Sequence, residues 1–510
     1  MKKFAIFNGA GLLFFSNLAE HGLPNSRRAI TLQKYNVPQM VWSILYLASE
    51  WIIRLAMLVY VPRQRSAAAA RAWLLLIFLL PWPGLVCYTL VGRIYLPRYR
   101  IERHKRAWRK IRIAQSQWQA RRPELPQLPP RLAPLAGLAA QIGNFDPVAG
   151  NRVELLTGYT APLDRLIEDI HGAKRHVHLL FYIFENDAVG QRVAEALAAA
   201  TARGVQCRVL MDAVGSKRAL RHLAPQMRAR GIEVREALPV GLFRRNAARF
   251  DLRNHRKIAV IDGQIGYTGS QNIANADFVP GFPNEELAVR IQGPAAQQLQ
   301  AVFLADHYAE TSEVLDDKAM FPEVEFCGNT ILQVVPSGPG YRRASGHELL
   351  VTLLYSARER VVLTTPYFVP NEPILEAVCS AARRGVNVRL VVSRHANQLL
   401  TQLAQRSYYD ELLDAGVRIH LYRPHFLHAK HLTIDNDIAV IGSSNIDIRS
   451  FALNAEANAI FYDAAIVDEL QQIQQRYFLE SDLLTRDAWA KRPLASRVLQ
   501  GVARLADSLL

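Results

Sequence analysis

A histidine and a lysine separated by one residue, with an aspartate five positions beyond the lysine, occur twice in this 510-residue chain. The first copy is His255, Lys257 and Asp262, followed by Gly269-Ser270-Gln271-Asn272. The second lies 173 residues on: His428, Lys430 and Asp435, followed by Gly442-Ser443-Ser444-Asn445. Glu286 in NEELAVRI and Glu456 in NAEANAIF stand at matching positions downstream. One such run would carry no weight, because surface histidines and lysines are common. Two runs with the same internal spacing point to one site built from both.

Those residue types suit a phosphodiester. Its cleavage requires a nucleophile, a proton donor for the departing alkoxide, and cations around the phosphoryl charge. Imidazole titrates near neutrality and can fill either of the first two roles, so two copies divide the labour. Lys257 and Lys430 supply compact positive charge, Asn272 and Asn445 can donate to non-bridging oxygens, and Ser270 and Ser443 are further candidate donors for substrate. Glu286 and Glu456 are expected to hold each imidazole in the required tautomer, as the acid of a Ser-His-Asp triad does. Asp262 and Asp435 belong to the catalytic motif, but their place at a turn favours a structural role. Metal ligation is disfavoured: no third histidine or carboxylate sits at ligand spacing, and two lysines would repel a cation.

The elements that must position these residues also read twice. AKRHVHLLFYIFENDAVGQRVAEALAAATARGVQCRVLMD from Ala173 and ARERVVLTTPYFVPNEPILEAVCSAARRGVNVRLVVS from Ala357 each give an apolar strand, an amphipathic helix, an Arg-Gly-Val turn and another apolar strand. Such alternation predicts βαβ units and a mostly parallel sheet. A second helix ends at Gly231 in one copy and Gly416 in the other. His and Lys two apart on a strand point to the same side.

The paired HxKxxxxD and GSxN runs resemble the phospholipase D superfamily over residues 150–480. PWPGLVCYTLVGR (Pro81 to Arg93), RNHRKIAVIDG (Arg253 to Gly263) and TTPYFVP (Thr364 to Pro370) narrow the likeness to bacterial cardiolipin synthases. The resemblance implies an α/β fold of two phospholipase D-like repeats packed pseudo-symmetrically. It also implies phosphatidyl transfer through a phosphatidyl-histidine, attack by His255 with His428 as acid, and no metal or other cofactor. The residues themselves do not break the symmetry between the two histidines. A hydrolytic phospholipase D or a phosphatidylserine synthase would use the same groups with another acceptor. An inactive lipid-binding scaffold is the reading from a different class.

The formal charge of +16 is confined to one end: residues 1–125 hold 20 Lys/Arg against 4 Asp/Glu, and the other 385 hold 41 of each. The catalytic portion therefore lacks the positive charge a nuclease needs to hold DNA. Two 21-residue apolar runs, 41–61 and 72–92, share the basic region and match a hydrocarbon core of about 30 Å. Glu50 and Arg54, four apart in the first, can neutralise each other. Pro81 and Pro83 should kink or interrupt the second. Basic flanks outside both runs, Arg27, Arg28 and Lys34 before and Arg93 to Arg112 after, predict a helical hairpin in the membrane with the catalytic part cytoplasmic, and the resemblance implies that this is the bacterial inner membrane. Cys87, Cys207, Cys327 and Cys379 form no CxxC pair, which fits a reducing compartment. Phe4 to Phe15 resembles a signal h-region but is too short to span and lacks a cleavage site; we read it as interfacial or packed.

The chain thus divides into a membrane region (1–115), a basic and Pro-rich linker (116–150), two repeats (151–325 and 326–485) and a C-terminal amphipathic helix (486–510). That helix places Leu494, Val498, Val502, Leu505 and Leu509 on one face, which reads as docking on the protein ahead of contact with a membrane. GLFRRNAARFDLRNHR, from Gly241, reads equally as a solvated loop or a headgroup-level stretch gripping phosphate. Membrane phospholipids are the expected partners, and a homo-oligomer is left open.

Overall fold

The computed structural model describes residues 5–8, 11–14, 37–65, 67–92, 98–119, 126–241, 249–315, 320–341 and 345–505. The chain forms two compact units, Met1–Arg93 and Ile94–Leu510.

In the first unit a short hairpin pairs Ala5–Asn8 with Gly11–Phe14. Helix α1 (Val37–Tyr60) contains a 20-residue stretch, Val41–Tyr60, long and apolar enough to cross a membrane. Trp42 and Ile52 on it are 71% and 66% exposed. The second apolar run does not form the single 21-residue helix of a full span. It divides into α2 (Ala67–Leu79), α3 (Pro81–Cys87) and a π-helical turn, Tyr88–Gly92. The break falls at Leu80 (φ −133°, ψ 80°), before a proline that lacks a backbone N–H. Arg54 Nη1 meets Glu50 Oε2 at 3.3 Å, and its Nε donates to the Phe78 carbonyl at 3.2 Å, so the charges inside the apolar helix are satisfied locally.

The second unit is organised by one fifteen-stranded sheet. The first repeat contributes β1 (Val148–Thr157), β2 (His176–Phe181), β3 (Gln206–Asp212), β4 (Glu233–Ala237), β5 (Lys257–Ile261), β6 (Ile265–Gly269) and β7 (Leu287–Gln292). The second contributes β8 (Thr330–Ser337), β9 (Arg360–Thr364), β10 (Asn387–Ser393), β11 (Arg418–Tyr422), β12 (His431–Ile434), β13 (Ile438–Gly442), β14 (Glu456–Phe461) and β15 (Ser481–Leu484). The order is β15-β11-β10-β9-β12-β13-β14-β8-β1-β7-β6-β5-β2-β3-β4, which reads the same outward in both directions from the β8–β1 seam apart from the extra edge strand β15. At the seam Thr330 faces Asn151 and Leu332 faces Val148. Asn151 pins it, its amide donating to the carbonyls of Val148 (2.9 Å) and Thr330 (3.1 Å).

The expected mostly parallel sheet is not what forms. Within the fifteen-stranded sheet, parallel pairing is confined to β2–β3–β4 and β9–β10–β11, where crossover helices intervene. The strands nearer the seam are antiparallel because tight turns join β5 to β6 and β12 to β13.

Strand alternation sends side chains to two sides. On one side a single core runs under both repeats, from Leu180 and Val260 to Val362 and Ile441. Four helices matter most here: α4 (Arg98–Gln119), α5 (Ala296–Thr311), α6 (Leu399–Ser407) and α7 (Ala464–Leu479). Helices α4, α5 and α7 contribute to the shared core. Helix α4 packs with this unit, with Trp108 and Ile111 buried and Arg100 Nη1 on Glu310 Oε1 at 2.8 Å, although composition groups it with the apolar runs. On the other side each repeat keeps its own core.

The C-terminal helix α8 (Leu494–Arg504) lies against α6, with its apolar stripe facing outward rather than docked; Leu509 is outside the described residues. Its inner contacts are made by Gln500 and Ala503.

Asp262 and Asp435 close the β5–β6 and β12–β13 turns at φ 54° and 49°. Asp262 accepts from the amides of Lys174, Arg175 and His176 at 2.8–2.9 Å, and Asp435 from those of Arg358, Glu359 and Arg360 at 2.8–3.2 Å. These carboxylates tie each hairpin to the start of the neighbouring strand, about 16 Å along the chain from the motif lysine, which is five residues away. Both motif aspartates are thus engaged by backbone amides at the hairpin turns, the structural role that their turn position favours. Asp262→Ala should cost about 2–3 kcal/mol, through three abandoned amides and a left-handed turn. Its thermal midpoint should fall by several degrees while turnover per folded molecule stays within threefold; a selective loss of turnover would contradict this.

Candidate active site

Each motif histidine is placed by the opposite repeat. The segment before β5 runs alongside the segment before β14, with Asn254 bridging Ala455 and the His255 amide donating to the Ala455 carbonyl at 2.9 Å. Reciprocally, Phe426–Leu427 pairs in parallel with Asn284–Glu285, and the His428 amide donates to the Glu285 carbonyl at 2.9 Å. Side chains follow the same exchange. His255 Nδ1 lies 3.0 Å from both carboxylate oxygens of Glu456, and His428 Nδ1 lies 2.7 Å from Glu286 Oε1. Each glutamate thus serves the histidine of the other repeat, a cross-pairing that spacing along the chain does not reveal.

The glutamates are fully buried and held on their remaining sides. Ser270 Oγ donates to Glu286 Oε2 and Ser443 Oγ to Glu456 Oε2, each at 2.5 Å. Those serines were expected as substrate donors; their single protons are engaged by the carboxylates instead. Asn284 Nδ2 reaches Glu286 at 3.4 Å and Asn454 Nδ2 reaches Glu456 at 3.5 Å. Lys257 Nζ donates to the His255 carbonyl at 2.6 Å, and Lys430 Nζ to the His428 carbonyl at 2.5 Å, which folds both ammonium groups back beside the rings. Asn272 Oδ1 accepts from the Ile183 amide at 3.2 Å. Asn445 Oδ1 is buried with no hydrogen-bond partner among the described residues.

Electrostatics follow from burial. Desolvation pushes both imidazoles down to about 4, against the upward pull of their glutamates. Each histidine also feels the lysine of the other repeat, which places all four groups in one electrostatic pocket. Burial lowers Lys257 to about 7 and Lys430 to about 8. Burial alone would raise the two glutamates, but histidine, lysine and serine outweigh it and hold both below the usual carboxylate range. The arrangement is a carboxylate facing a neutral ring protonated on Nδ1, which leaves the Nε2 lone pair free.

Several contributors escape motif reading. Tyr182 lies 4.9 Å from the His255 ring with Lys257 Nζ 5.4 Å from its centre, while Phe278 meets His428 edge-on at 5.1 Å. Alignment of the two repeats would have flagged Asn284 against Asn454, each two residues before its glutamate, whereas Tyr182 has no tyrosine at the matching position of the second repeat, which holds Pro366. In the arginine-rich stretch, Arg253 is buried on Asp212 (3.2 Å) and Arg256 on Asp306, so neither is free to grip a headgroup. Arg249 pairs with Asp251, and Leu242, Phe243, Arg244 and Arg245 lie outside the described residues. Among the described residues one cluster could meet a metal ion: Glu233, His307 and Glu313, on β4 and at the end of α5, away from the motif residues. Arg208 (3.2 Å) and Arg235 (2.9 Å) already pair with Glu233.

A family profile described as "Cardiolipin synthase, PLD-like domain" matches residues 166–307 and 350–478. Cardiolipin synthase A of Yersinia pseudotuberculosis (serotype O:1b, strain IP 31758) is 36% identical over 462 residues, covering 88% of this chain and 94% of that relative; the Yersinia pestis protein gives the same values. The crystal structure of phosphatidylserine synthase from Haemophilus influenzae Rd KW20 superposes with a TM-score of 0.56 at 15% identity, covering 74% of this chain and all of that one, a likeness of fold.

The cross-pairing has a direct consequence. In Glu456→Gln, acylation by diethyl pyrocarbonate, mapped by peptide mass spectrometry, should change several-fold at His255 and stay level at His428. A change at His428 alone would place the partners within one repeat.

Proposed function

The chain belongs to the cardiolipin synthase family of phospholipase D-like proteins, and we propose that it transfers a phosphatidyl group from one phosphatidylglycerol to another, yielding cardiolipin and glycerol. The observation that carries this reading is the pair of buried histidines, each hydrogen-bonded through Nδ1 to a glutamate of the other repeat, with a lysine beside each.

In the first half-reaction His255 Nε2 attacks phosphorus, the bond from phosphorus to the glycerol oxygen breaks, and protonated His428 gives its proton to the departing alkoxide. Two carboxylates face two lysines whose charge burial weakens, so an incoming phosphodiester anion favours protonation of an imidazole that is otherwise neutral. In the second half-reaction His428 takes the proton from the hydroxyl of another phosphatidylglycerol, the new phosphorus–oxygen bond forms, and the phosphorus–nitrogen bond breaks. Lys257, Lys430, Asn272 and Asn445 face the non-bridging oxygens. Glu456 and Glu286 hold the tautomers and stabilise each imidazolium as it forms. Exclusion of water by a lipid-covered mouth favours transfer over hydrolysis.

For location, α1 spans the bacterial inner membrane and the run broken at Pro81 forms a second, interrupted limb. The basic flanks then keep the catalytic unit cytoplasmic. A juxtamembrane excess of Lys/Arg attracts the anionic lipids that are the substrates.

Purified protein in vesicles containing phosphatidylglycerol should release glycerol and cardiolipin in equal amounts; phosphatidic acid without cardiolipin would make it a hydrolase. His428→Ala should lose about 10³-fold or more on phosphatidylglycerol. It should still release a burst of p-nitrophenol from phosphatidyl-p-nitrophenol, whose leaving group needs no proton, whereas His255→Ala should give none. The reverse pattern would exchange the two roles. Lys257, held down to about 7, is charged below that pH and neutral above it. Apparent affinity for the anionic substrate should therefore be full below pH 7 and weaken as pH rises, with KM climbing several-fold between pH 7 and 9. A flat KM would contradict a phosphate-binding role for Lys257.

A further inference from the structure

Helix α8 sits against the catalytic unit by its polar side. Gln500 and Ala503 are buried, Gln500 Oε1 accepts from Arg492 Nε at 3.2 Å, and Arg504 Nη1 meets Glu411 Oε1 at 2.6 Å. At 100° per residue, Leu494, Val498, Val502 and Leu505 fall on the opposite side. They are 74%, 57%, 59% and 84% exposed. A helix whose apolar face served the core would be turned the other way, and four aliphatic side chains in a row facing water oppose folding unless something covers them.

The neighbouring helix α6, against which α8 packs, carries further exposed apolar side chains. It begins with Leu399 and Leu400, which are 71% and 47% exposed. Just upstream, Asn397 Oδ1 accepts from the Tyr367 hydroxyl at 2.8 Å, and Tyr367 lies within electrostatic reach of Glu286. The exposed leucines therefore start two residues from Asn397, the hydrogen-bond partner of Tyr367.

Shape and charge select the occupant. The strip is a convex ridge on a three-turn helix, too small for the ~800 Å² per partner that a stable dimer buries. Arg497, exposed on the same helix, stands beside the apolar face, where a guanidinium meets phosphate while aliphatic neighbours enter the acyl boundary. We propose that the outer face of α8, together with the exposed Leu399 and Leu400, seats in the interfacial layer of an anionic lipid bilayer and holds the catalytic pocket at headgroup level. This rests on the reading of the chain as a phosphatidyltransferase and adds a docking surface distinct from the N-terminal apolar helices.

The test uses the full chain in proteoliposomes, with Val498→Asp/Val502→Asp compared with the unaltered protein. One set contains long-chain phosphatidylglycerol in phosphatidylcholine; the other is phosphatidylcholine alone, supplied with dihexanoyl-phosphatidylglycerol below its critical micelle concentration. The variant should fall at least tenfold on the bilayer substrate and stay within twofold on the aqueous one. An unchanged bilayer rate overturns the docking surface, and so does an equal loss on both substrates. If the unaltered protein turns over neither substrate, the catalytic reading fails, and a second measurement still judges the surface. A nitrobenzoxadiazole group on Val498→Cys, in a chain whose four native cysteines are serine, should be quenched by doxyl-labelled phosphatidylglycerol. Absence of quenching, or energy transfer between labels on two copies, overturns the proposal.

Discussion

The structure depends on the exchange of hydrogen bonds between each motif histidine and the glutamate of the other repeat. His255 with Glu456 and His428 with Glu286 are buried pairs, and burying a carboxylate without partners is expensive. Ser443, Asn454 and Ser270, Asn284 complete the shells. Neither repeat alone can satisfy its glutamate or orient its histidine. The requirement for a complete site is therefore also a requirement for the β8–β1 seam to close, and the core shared under both repeats supplies the apolar burial that closes it.

The same arrangement explains how a nearly enclosed site can hold so many ionisable groups. Two carboxylates offset two ammonium groups, and the rings stay neutral because desolvation dominates. Lysines shifted toward neutrality are sensitive to one further charge. In the proposed reaction a phosphodiester anion would restore the balance that burial disturbs, so that binding substrate would also set protonation. The symmetry of the two repeats is not complete: Tyr182 beside His255 and Phe278 beside His428 give the rings different neighbours, and different neighbours can separate an attacking ring from a donating one.

Outside the site, the unit keeps buried ion pairs where a loop must be held. Asp212 on β3 takes the Arg253 guanidinium and the Asn254 amide (2.9 Å), which fixes the approach to His255. The second repeat uses a neutral solution, with Ser393 Oγ accepting from the Leu427 amide at 3.2 Å. Arg256 joins Asp306 on α5 to the Ser337 carbonyl on β8, so a residue inside the first motif also locks the two repeats together.

Residue order alone determined that there are two repeats, that each carries one set of His, Lys, Asp, Ser, Asn and Glu, and that apolar helical segments precede them. Those features are local: spacing, periodicity and composition record them directly. It also placed Asp262 and Asp435 at turns, because a turn is a property of a few consecutive residues. What residue order could not decide was partnership. Whether Glu286 serves His255 or His428, whether Ser270 faces phosphate or Glu286, and whether Arg253 grips lipid or Asp212 all depend on chain segments tens to hundreds of residues apart meeting in space. Sheet direction near the seam and the outward turn of α8 belong to the same class. A periodic apolar stripe states that one face is apolar, and only the tertiary packing decides whether that face looks inward or out.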